Sequence, residues 1–361
     1  RKVTQTMYII IAILLFGILI AAHEWGHFIA ARLCGVTVHE FSIGMGPALW
    51  KHVGKKGTQF SIRALPIGGY CAMEGEEEES DDPRSLNNQG FWKKVFVFAA
   101  GALMNFVVGV IIIFLLFIDA GAFYTPEITG FAPEFTLQGE DGLMEGDILY
   151  SIDGERIYLY NDVSMFLSRG DGDGYDLVVL RDGEKVTLKD FPLTLQEYTS
   201  NDGETKYTGY GLYFGATVEA TFGVKLKMTW LNAVDFVRIV RYSIQELLTG
   251  GAGVQDLSGP VGIVGAISEV GQQSPSVMVA LENIAYFGAM LAVNLAVVNL
   301  LPIPALDGGR IFFLIISTIS FRVFRKKIPM KYEAGINFAG FALLMLLILV
   351  VTFNDVARLF S

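Results

Sequence analysis

The chain has 361 residues, of which 52% are hydrophobic and 18% are charged, and its mean hydropathy is +0.46. Soluble domains contain about 25% charged residues, so this composition favours a membrane protein. The net charge of −10 argues against a nucleic-acid partner, and two cysteines, Cys34 and Cys71, are too few for a disulfide-rich secreted scaffold.

The first predicted membrane helix covers residues 1–34. Residues 7–22 are wholly apolar, close to the roughly 20 residues that span a bilayer, and no small-residue cleavage pattern of a signal peptide follows them. The next residues read His23-Glu24-Trp25-Gly26-His27. Because residues i and i+4 share one helix face, the two imidazoles can bind one zinc ion, with Glu24 beside them as a base for bound water.

Two histidines at this spacing can also arise by chance in a buried helix. The chain has four histidines, however, and two of them lie here, inside a predicted membrane helix where ionisable groups are costly and usually functional. The pattern therefore favours a metal site. Such a site needs a third protein ligand, for which the following loop offers His39 and His52, with Cys71 as a softer alternative.

Residues 35–94 form the predicted loop between the first two membrane helices. Residues 58–63 alternate as in a strand, which could pair with an extended substrate through backbone hydrogen bonds; Phe60 and Ile62 are the predicted substrate contacts there. An ordinary cytoplasmic hairpin is the alternative. Residues 74–82 are almost wholly acidic, which predicts a solvated, mobile loop that could also gate access.

A second membrane helix is predicted at 95–118, with Asn105 as its one polar residue, serving helix packing or loop anchoring. Residues 119–222 then carry 20 acidic and 6 basic residues, a net charge of −14 against +4 for the rest of the chain. Strand-like runs alternate with turn signals at Asp153-Gly154 and Arg181-Asp182-Gly183, and the second of these predicts a hairpin. This block is long enough for one soluble domain.

Residues 223–280 contain a predicted amphipathic helix at 224–248, at the outer membrane surface, and a connector. The third membrane helix is predicted at 281–321. Pro302 and Pro304 interrupt it, and irregular backbone at membrane depth is tolerated where it lines a cavity. Asp307 follows. A simple helix-end turn is one interpretation, but both this helix and the first run inward to similar depth, so Asp307 is the favoured third zinc ligand.

A basic cytoplasmic loop at 322–334 and a fourth membrane helix at 335–361 complete the predicted order. Positive charge marks cytoplasmic segments, and it concentrates after the first helix and between residues 310 and 331, where Arg310 is counted as part of the loop. The acidic block and both termini are then expected outside. Four membrane helices satisfy this arrangement.

The His-Glu-x-x-His motif in the first helix and the Asn-x-x-Pro-x-Pro-x-Leu-Asp-Gly motif at 299–308 resemble the site-2 protease family of intramembrane zinc metalloproteases, in particular its RseP-type (regulator of sigma-E protease) subgroup with one PDZ domain. The resemblance covers nearly the whole chain. Further sequence segments that resemble the family lie at 41–47, 65–70, 142–148 and 258–263. The resemblance implies an α-helical polytopic membrane protein with about four transmembrane helices, a membrane-associated β-hairpin and one inserted α+β PDZ-like domain.

The resemblance further implies zinc as cofactor, with His23, His27 and Asp307 as ligands and Glu24 as catalytic base. Asn294 and Asn299 lie near the zinc end of the third helix and are predicted to hold substrate backbone groups; helix packing is the alternative for both. Two residues depart from the family pattern, Met45 in the Gly-x-Gly-Pro loop and Ala102 after Gly101. We expect both departures to affect substrate fit rather than chemistry.

The implied activity is a zinc-dependent intramembrane endopeptidase of the bacterial inner membrane, with its site toward the cytoplasm. Its expected substrates are pre-trimmed single-pass membrane proteins, such as anti-sigma factors or remnant signal peptides, held in the lipid bilayer. A catalytically inactive adaptor that binds protein tails through the PDZ-like domain is the alternative. A transporter would show two similar halves, which this sequence lacks.

Overall fold

The structure is a computed structural model that describes residues 2–76, 78, 80–170, 174–199, 206–325 and 328–360. The chain divides into two compact units, one formed by residues 1–116 and 236–361 and the other by residues 117–235. The described helices are α1 (Lys2–Cys34), α2 (Phe91–Leu116), α3 (Tyr160–Leu167), α4 (Phe222–Thr249), α5 (Pro260–Gln273), α6 (Val277–Asn299), α7 (Asp307–Phe324) and α8 (Met330–Phe360).

Among the described residues, four helices are long and apolar enough to cross a membrane: Thr6–Cys34, Phe91–Leu116, Val277–Asn299 and Lys331–Arg358. This confirms the prediction of about four membrane helices. Small residues let these helices approach closely. A Cβ placed on Gly26 of α1 would lie 2.3 Å from the carbonyl oxygen of Ala100 on α2, and one on Gly109 of α2 would lie 2.8 Å from Val293 on α6.

Two long strands, β1 (Val38–Val53) and β2 (Gln59–Met73), follow α1 and pair with each other in two ways. Residues 40–43 have partners on both sides; Phe41, for example, faces both Cys71 and Phe60. Phe60 in turn faces both Phe41 and His52. The segment 59–62 therefore lies inside the sheet, and 69–73 forms a sheet edge that faces one partner segment among the described residues.

This pairing changes one sequence prediction. Residues 59–63 do lie in a strand, as their alternation predicts, but residues 59–62 are already paired on both sides. A substrate cannot add to a strand whose backbone hydrogen bonds are used on both sides. Strand addition at 59–62 is therefore wrong, whereas the segments 69–73 and 50–53 each pair on one side only.

The unit of residues 117–235 is built from short strands and α3. The strands of the chain after β2 are β3 (Ala122–Tyr124), β4 (Ile128–Phe131), β5 (Ile148–Ile152), β6 (Glu155–Arg156), β7 (Tyr175–Arg181), β8 (Glu184–Phe191), β9 (Gln196–Thr199), β10 (Lys206–Gly209), β11 (Leu212–Phe214) and β12 (Thr217–Glu219). The order β6-β5-β7-β8 forms a four-stranded sheet. Both predicted turns are confirmed: Asp153-Gly154 joins β5 to β6, and Asp182-Gly183 joins β7 to β8, with φ of 49°, 79°, 51° and 86°.

The region predicted as one helix at 281–321 contains most of α6, an irregular stretch and most of α7. The two prolines interrupt the helix as expected, and Ala305 takes a left-handed conformation with φ of 72°. Arg310, counted in the cytoplasmic loop from its charge, instead lies in the first turn of α7. That assignment was wrong because Asp307 starts a new helix immediately after the break.

Candidate metal centre

Three side chains from two distant helices converge in the first unit. His23 and His27 lie one turn apart on α1, and Asp307 is the first residue of α7. The Asp307 Oδ2 atom lies 3.2 Å from His23 Nε2 and 3.4 Å from His27 Nε2, and the two Nε2 atoms are 3.2 Å apart. The three atoms therefore form a nearly equilateral triangle.

The triangle has the dimensions of a zinc site. Ligand atoms at about 2.0–2.1 Å from a tetrahedral ion lie about 3.3–3.4 Å from one another. Within the part of the chain that the structure describes, Asp307 Oδ2 is buried and receives no hydrogen bond of acceptable geometry, although two ring nitrogens face it. Buried polar atoms without partners are uncommon and need an explanation. A metal ion in front of all three atoms supplies one, and this is the one such group of potential ligands among the described residues.

The second helix orients one of the two rings. His27 Nδ1 lies 2.8 Å from the carbonyl oxygen of Val97 on α2. A carbonyl can only accept, so Nδ1 carries the proton and Nε2 presents its lone pair to the other two ligand atoms. This is the usual way in which a metal-binding histidine is held in the correct tautomer.

The proline-containing stretch brings Asp307 to α1. Backbone hydrogen bonds close tight turns there, including Ile303 N–H to Leu301 O at 2.7 Å. Gly308 and Gly309 let α7 fold back onto this stretch, because a Cβ on either would lie 2.2–2.3 Å from backbone atoms of residues 300–303. An acidic residue in the first helical turn also interacts favourably with the helix dipole. The break thus ends one helix and presents a carboxylate at the start of the next.

A cavity of about 790 Å³ contains the triad. Glu24 lines it beside His23, and residues 70–73 of the free sheet edge form part of its wall. Gly69 lets this strand approach α1, since a Cβ there would lie 3.3 Å from Glu24 Cγ. The cavity therefore combines a candidate ligand triad, a carboxylate and a strand edge that pairs on one side only.

Of the four residues predicted to bind substrate, one lines the cavity and three do not. Asn299 lines the cavity, and its role stays a prediction. Asn294, Phe60 and Ile62 do not line it. The Oδ1 atom of Asn294 is buried without a hydrogen-bond partner among the described residues, while the Phe60 ring packs 5.7 Å from Phe28 and Ile62 is 47% exposed. Their contact with a substrate also stays a prediction.

The alternative third ligands lie outside the triangle. His39 and Cys71 line the cavity, but His39 Nε2 is 2.6 Å from Glu74 Oε2, and Cys71 is not part of the described ligand group. Burial raises the pKa of the Cys71 thiol, which disfavours the thiolate that a metal needs. His52 stacks on Trp50 with ring centres 5.9 Å apart. Asp307 is thus the third member of the triangle.

An ion pair in the cavity wall was not foreseen from the sequence. The Arg310 guanidinium donates to Glu76 Oε1, and Glu76 Oε2 accepts the Met73 N–H at 3.3 Å. Glu74 accepts from Ser80 and His39, and these hydrogen bonds hold the pKa of its carboxyl below the usual range. The expectation that 74–82 is a freely solvated loop is therefore wrong at these positions; 77 and 79 lie outside the described residues.

A second charged cluster connects β1 and β2 through hydrogen bonds. Arg63 Nη2 donates to Glu40 Oε1 at 2.8 Å and to the Tyr70 hydroxyl at 2.5 Å, and Ser61 Oγ donates to Glu40 at 2.6 Å. Burial alone would raise the pKa of Glu40, but the hydrogen bonds from Ser61 and Arg63 outweigh it and lower the pKa to about 2. Glu40 is therefore ionised at neutral pH and links three segments of the sheet.

Comparison with known proteins finds a family and several full-length relatives. The model of peptidase family M50 matches residues 11–347. A protein named as a zinc metalloprotease in Clostridium perfringens is 37% identical over 352 residues, covering 97% of this chain and 98% of the relative. Another so named, from Clostridium acetobutylicum, is 35% identical over 350 residues, covering 96% and 97%. The regulator of sigma-W protease RasP of Bacillus subtilis is 28% identical over 433 residues, covering 98% and 99%.

Proposed function

Since this chain belongs to peptidase family M50, the site-2 protease type of zinc metalloendopeptidase, we propose that it cleaves peptide bonds within the transmembrane segments of single-pass membrane proteins that have already been trimmed. The chain is a multi-pass bacterial membrane protein with four candidate spans. The observation that carries the proposal is the convergence of His23, His27 and Asp307 on one point.

We assign these three side chains as the zinc ligands. Two neutral imidazoles and one carboxylate are a common ligand set for catalytic zinc, and three protein ligands leave one position open. The chemistry that zinc supplies when bound is the activation of a water molecule for attack near neutral pH. The intact triangle argues against the inactive-adaptor alternative, because an adaptor has no use for three converging ligand atoms.

Glu24 is the proposed general base. It follows His23 directly on α1 and lines the same cavity, so its carboxylate can accept a proton from water beside the triad. It can then return that proton to the amine released when the peptide bond breaks, as general acid–base catalysis requires. Gly69 keeps the opposite wall close to the Glu24 side chain, which limits the orientations that the carboxylate can take.

The substrate is proposed to bind as an extended strand along residues 69–73. A peptide bond in a helix is shielded by the neighbouring turns, so a transmembrane segment must unwind before it can be attacked. The Met73 N–H is already held by Glu76, so residues 69–72 of this edge offer the unpaired backbone groups next to Glu24, and strand addition satisfies the backbone of the unwound segment as well. Asn299, in the same cavity, is proposed to hold one of the remaining substrate backbone groups.

The substrate class follows from the relatives by analogy. The Bacillus subtilis relative is named as a regulator of sigma-W protease, and we propose an anti-sigma factor or a remnant signal peptide as substrate here. The basic segments predict that the site faces the cytoplasm of the inner membrane and that residues 119–222 lie outside. We also propose that this inserted block is PDZ-like and excludes substrates that still carry a large outer domain.

The test is the variant Glu24→Gln in purified protein and in cells that co-express a tagged single-pass substrate. The substitution removes the base and keeps the three ligands, so zinc content should stay near one per chain while cleavage falls below detection. Glu282→Gln is the matched control, since it makes the same change at an exposed position of α6. It should leave both readouts unchanged.

Cleavage at the wild-type rate by Glu24→Gln would remove Glu24 from the mechanism. A wild-type protein without zinc would remove the metal assignment. Deletion of residues 119–222 separately tests whether this block excludes untrimmed substrates. The deletion variant should cleave untrimmed substrate, and unchanged selectivity for trimmed substrate would contradict the proposed exclusion.

A further inference from the structure

One face of α2 lies against the ligand rings. Val97 and Gly101 are four residues apart and therefore share this face. Val97 O holds His27 Nδ1 at 2.8 Å. At Gly101, a Cβ would lie 2.3 Å from His27 Nε2, 2.8 Å from His23 Nε2 and 2.7 Å from His23 Cε1. Real Cβ atoms are not found this close to other heavy atoms, so a side chain at 101 cannot coexist with the rings where they stand.

The atoms that a Cβ on Gly101 would meet differ from those at two other glycines where α2 packs on α1 or α6. A Cβ on Gly26 would strike the carbonyl group of Ala100, and one on Gly109 would strike Val293 and the carbonyl oxygen of Ala289. Those glycines permit close packing of backbone and aliphatic side chains. At Gly101 the nearest atoms instead belong to the two imidazole rings and include both nitrogens that face Asp307.

We propose that Gly101 is a positioning residue of the metal site, whose missing side chain keeps open the space in front of the His23 and His27 Nε2 atoms. The inference rests on the zinc assignment proposed above. Any metal bound by these nitrogens must occupy space directly in front of them, and a methyl group on Gly101 would compete for that space. The glycine therefore serves the ligands as well as the packing of α1 on α2.

The two rings differ in their freedom to move away from a methyl group. His27 is held through Val97 O, so a shift of its ring breaks a buried hydrogen bond. His23 Nδ1 has no hydrogen-bond partner in the described part of the chain, so the His23 ring yields more easily. Gly101→Ala should therefore disturb the angle between the ligands rather than remove one of them.

The first experiment compares Gly101→Ala with Gly109→Ala, the same change two turns further along α2. Zinc affinity is measured by competition with a chelator, and the visible spectrum of the cobalt-substituted protein reports coordination geometry. We expect Gly101→Ala to bind zinc about 10- to 100-fold more weakly, the range seen when groups that orient metal ligands are lost, and to show an altered cobalt spectrum. Gly109→Ala should lose thermal stability and keep wild-type affinity and spectrum.

A second experiment covers the case in which Gly101→Ala folds poorly. In the double variant His27→Ala/Gly101→Ala the ring that lies 2.3 Å from the new methyl group is gone. If the clash is with the imidazole, the stability lost in Gly101→Ala returns in this background without metal. The loss from Gly109→Ala should persist when it is combined with His27→Ala.

The outcomes separate this inference from the zinc assignment. Wild-type affinity and spectrum in Gly101→Ala would overturn the role of Gly101 alone. A stability loss that His27→Ala does not relieve would also overturn it, because the glycine would then serve packing only. Absence of zinc from the wild-type protein would overturn the assignment of the ligands instead.

Discussion

Each of the two units of this chain contains a buried carboxylate, and the two carboxylates differ in the hydrogen bonds that they accept. In the unit of residues 117–235, Asp147 is fully buried and accepts from the Met144 N–H, from Arg181 Nε and from Arg181 Nη2, all at 2.8–2.9 Å. In the other unit, Asp307 is 15% exposed, and within the described chain its Oδ2 atom receives no hydrogen bond of acceptable geometry. Asp147 is satisfied by its own fold, whereas Asp307 Oδ2 has no such partner among the described residues and is the atom that we propose binds a metal ion.

The difference supports a structural role for Asp147 and the metal-binding role that we propose for Asp307. A buried carboxylate with both oxygens hydrogen-bonded to its own fold fixes a local structure. A buried oxygen that faces two imidazoles without a hydrogen bond is a cost that the fold carries unless a ligand offsets it. The same residue type should therefore respond in opposite ways to the same substitution in the two units.

The largest expected effect comes from Asp307→Asn. An amide has nearly the same shape as the carboxylate but no charge and a weaker tendency to bind zinc, so the site should lose its metal. Cleavage should fall by about three orders of magnitude or more, which corresponds to roughly 4 kcal/mol in the barrier. Zinc content by mass spectrometry and cleavage of a tagged single-pass substrate measure the two quantities. Full zinc content in this variant would mean that the triangle is only a structural ion pair.

Asp147→Asn should have the converse effect. The amide places an NH2 group against the Arg181 guanidinium and leaves that cation without its counter-charge, which costs about 3 kcal/mol of unfolding free energy. Zinc content should not change. Thermal unfolding and limited proteolysis of residues 117–235 would detect the loss. If zinc binding fell with it, the stability of residues 117–235 and metal binding in the other unit would be energetically coupled.

The metal site could largely be predicted from the sequence. Each motif is local, since His23 and His27 are spaced by one helical turn and Asp307 follows two prolines that must break a helix. The depth of the two motifs in the membrane could be counted along the helices. Local spacing and depth favoured Asp307 as the third ligand, the family resemblance implied the full set, and the structure places the three side-chain atoms within 3.4 Å of one another.

The surroundings of the site could not be predicted in this way. Arg310 and Glu76 are 234 positions apart in the sequence, and neither residue carries a pattern that names the other. The alternation at 58–63 identifies a strand, but whether its edges are free depends on how β1 and β2 fold over each other. The role of Gly101 depends on the distance between two helices, which a missing side chain in the sequence does not reveal.

The cluster around Glu40 predicts a smaller, pH-dependent effect in the first unit. Because its pKa is lowered from the ordinary 4.5 to about 2, its stabilisation is complete above pH 4.5 and is lost as the pH falls toward 2. Partial solvent access limits the effect to about 1–2 kcal/mol. Thermal unfolding in detergent at pH 7 and pH 3 should show a smaller difference for Glu40→Gln than for the wild type. Equal differences would mean that Arg63 and Ser61 do not hold the carboxylate.

The smallest expected effect lies in the turn between β7 and β8. Gly183 has φ of 86° and no atom within 4 Å of a Cβ placed on it, so Gly183→Ala meets backbone strain without a steric clash. The expected cost is about 1 kcal/mol of unfolding free energy, with zinc content and cleavage unchanged. Gly121→Ala is the matched control, because its Cβ also meets open space but its φ is not in the left-handed region. If Gly183→Ala reduced cleavage while the unit stayed folded, the inserted unit would contribute to the reaction by more than its stability, and the separation drawn between the two buried carboxylates would have to be abandoned.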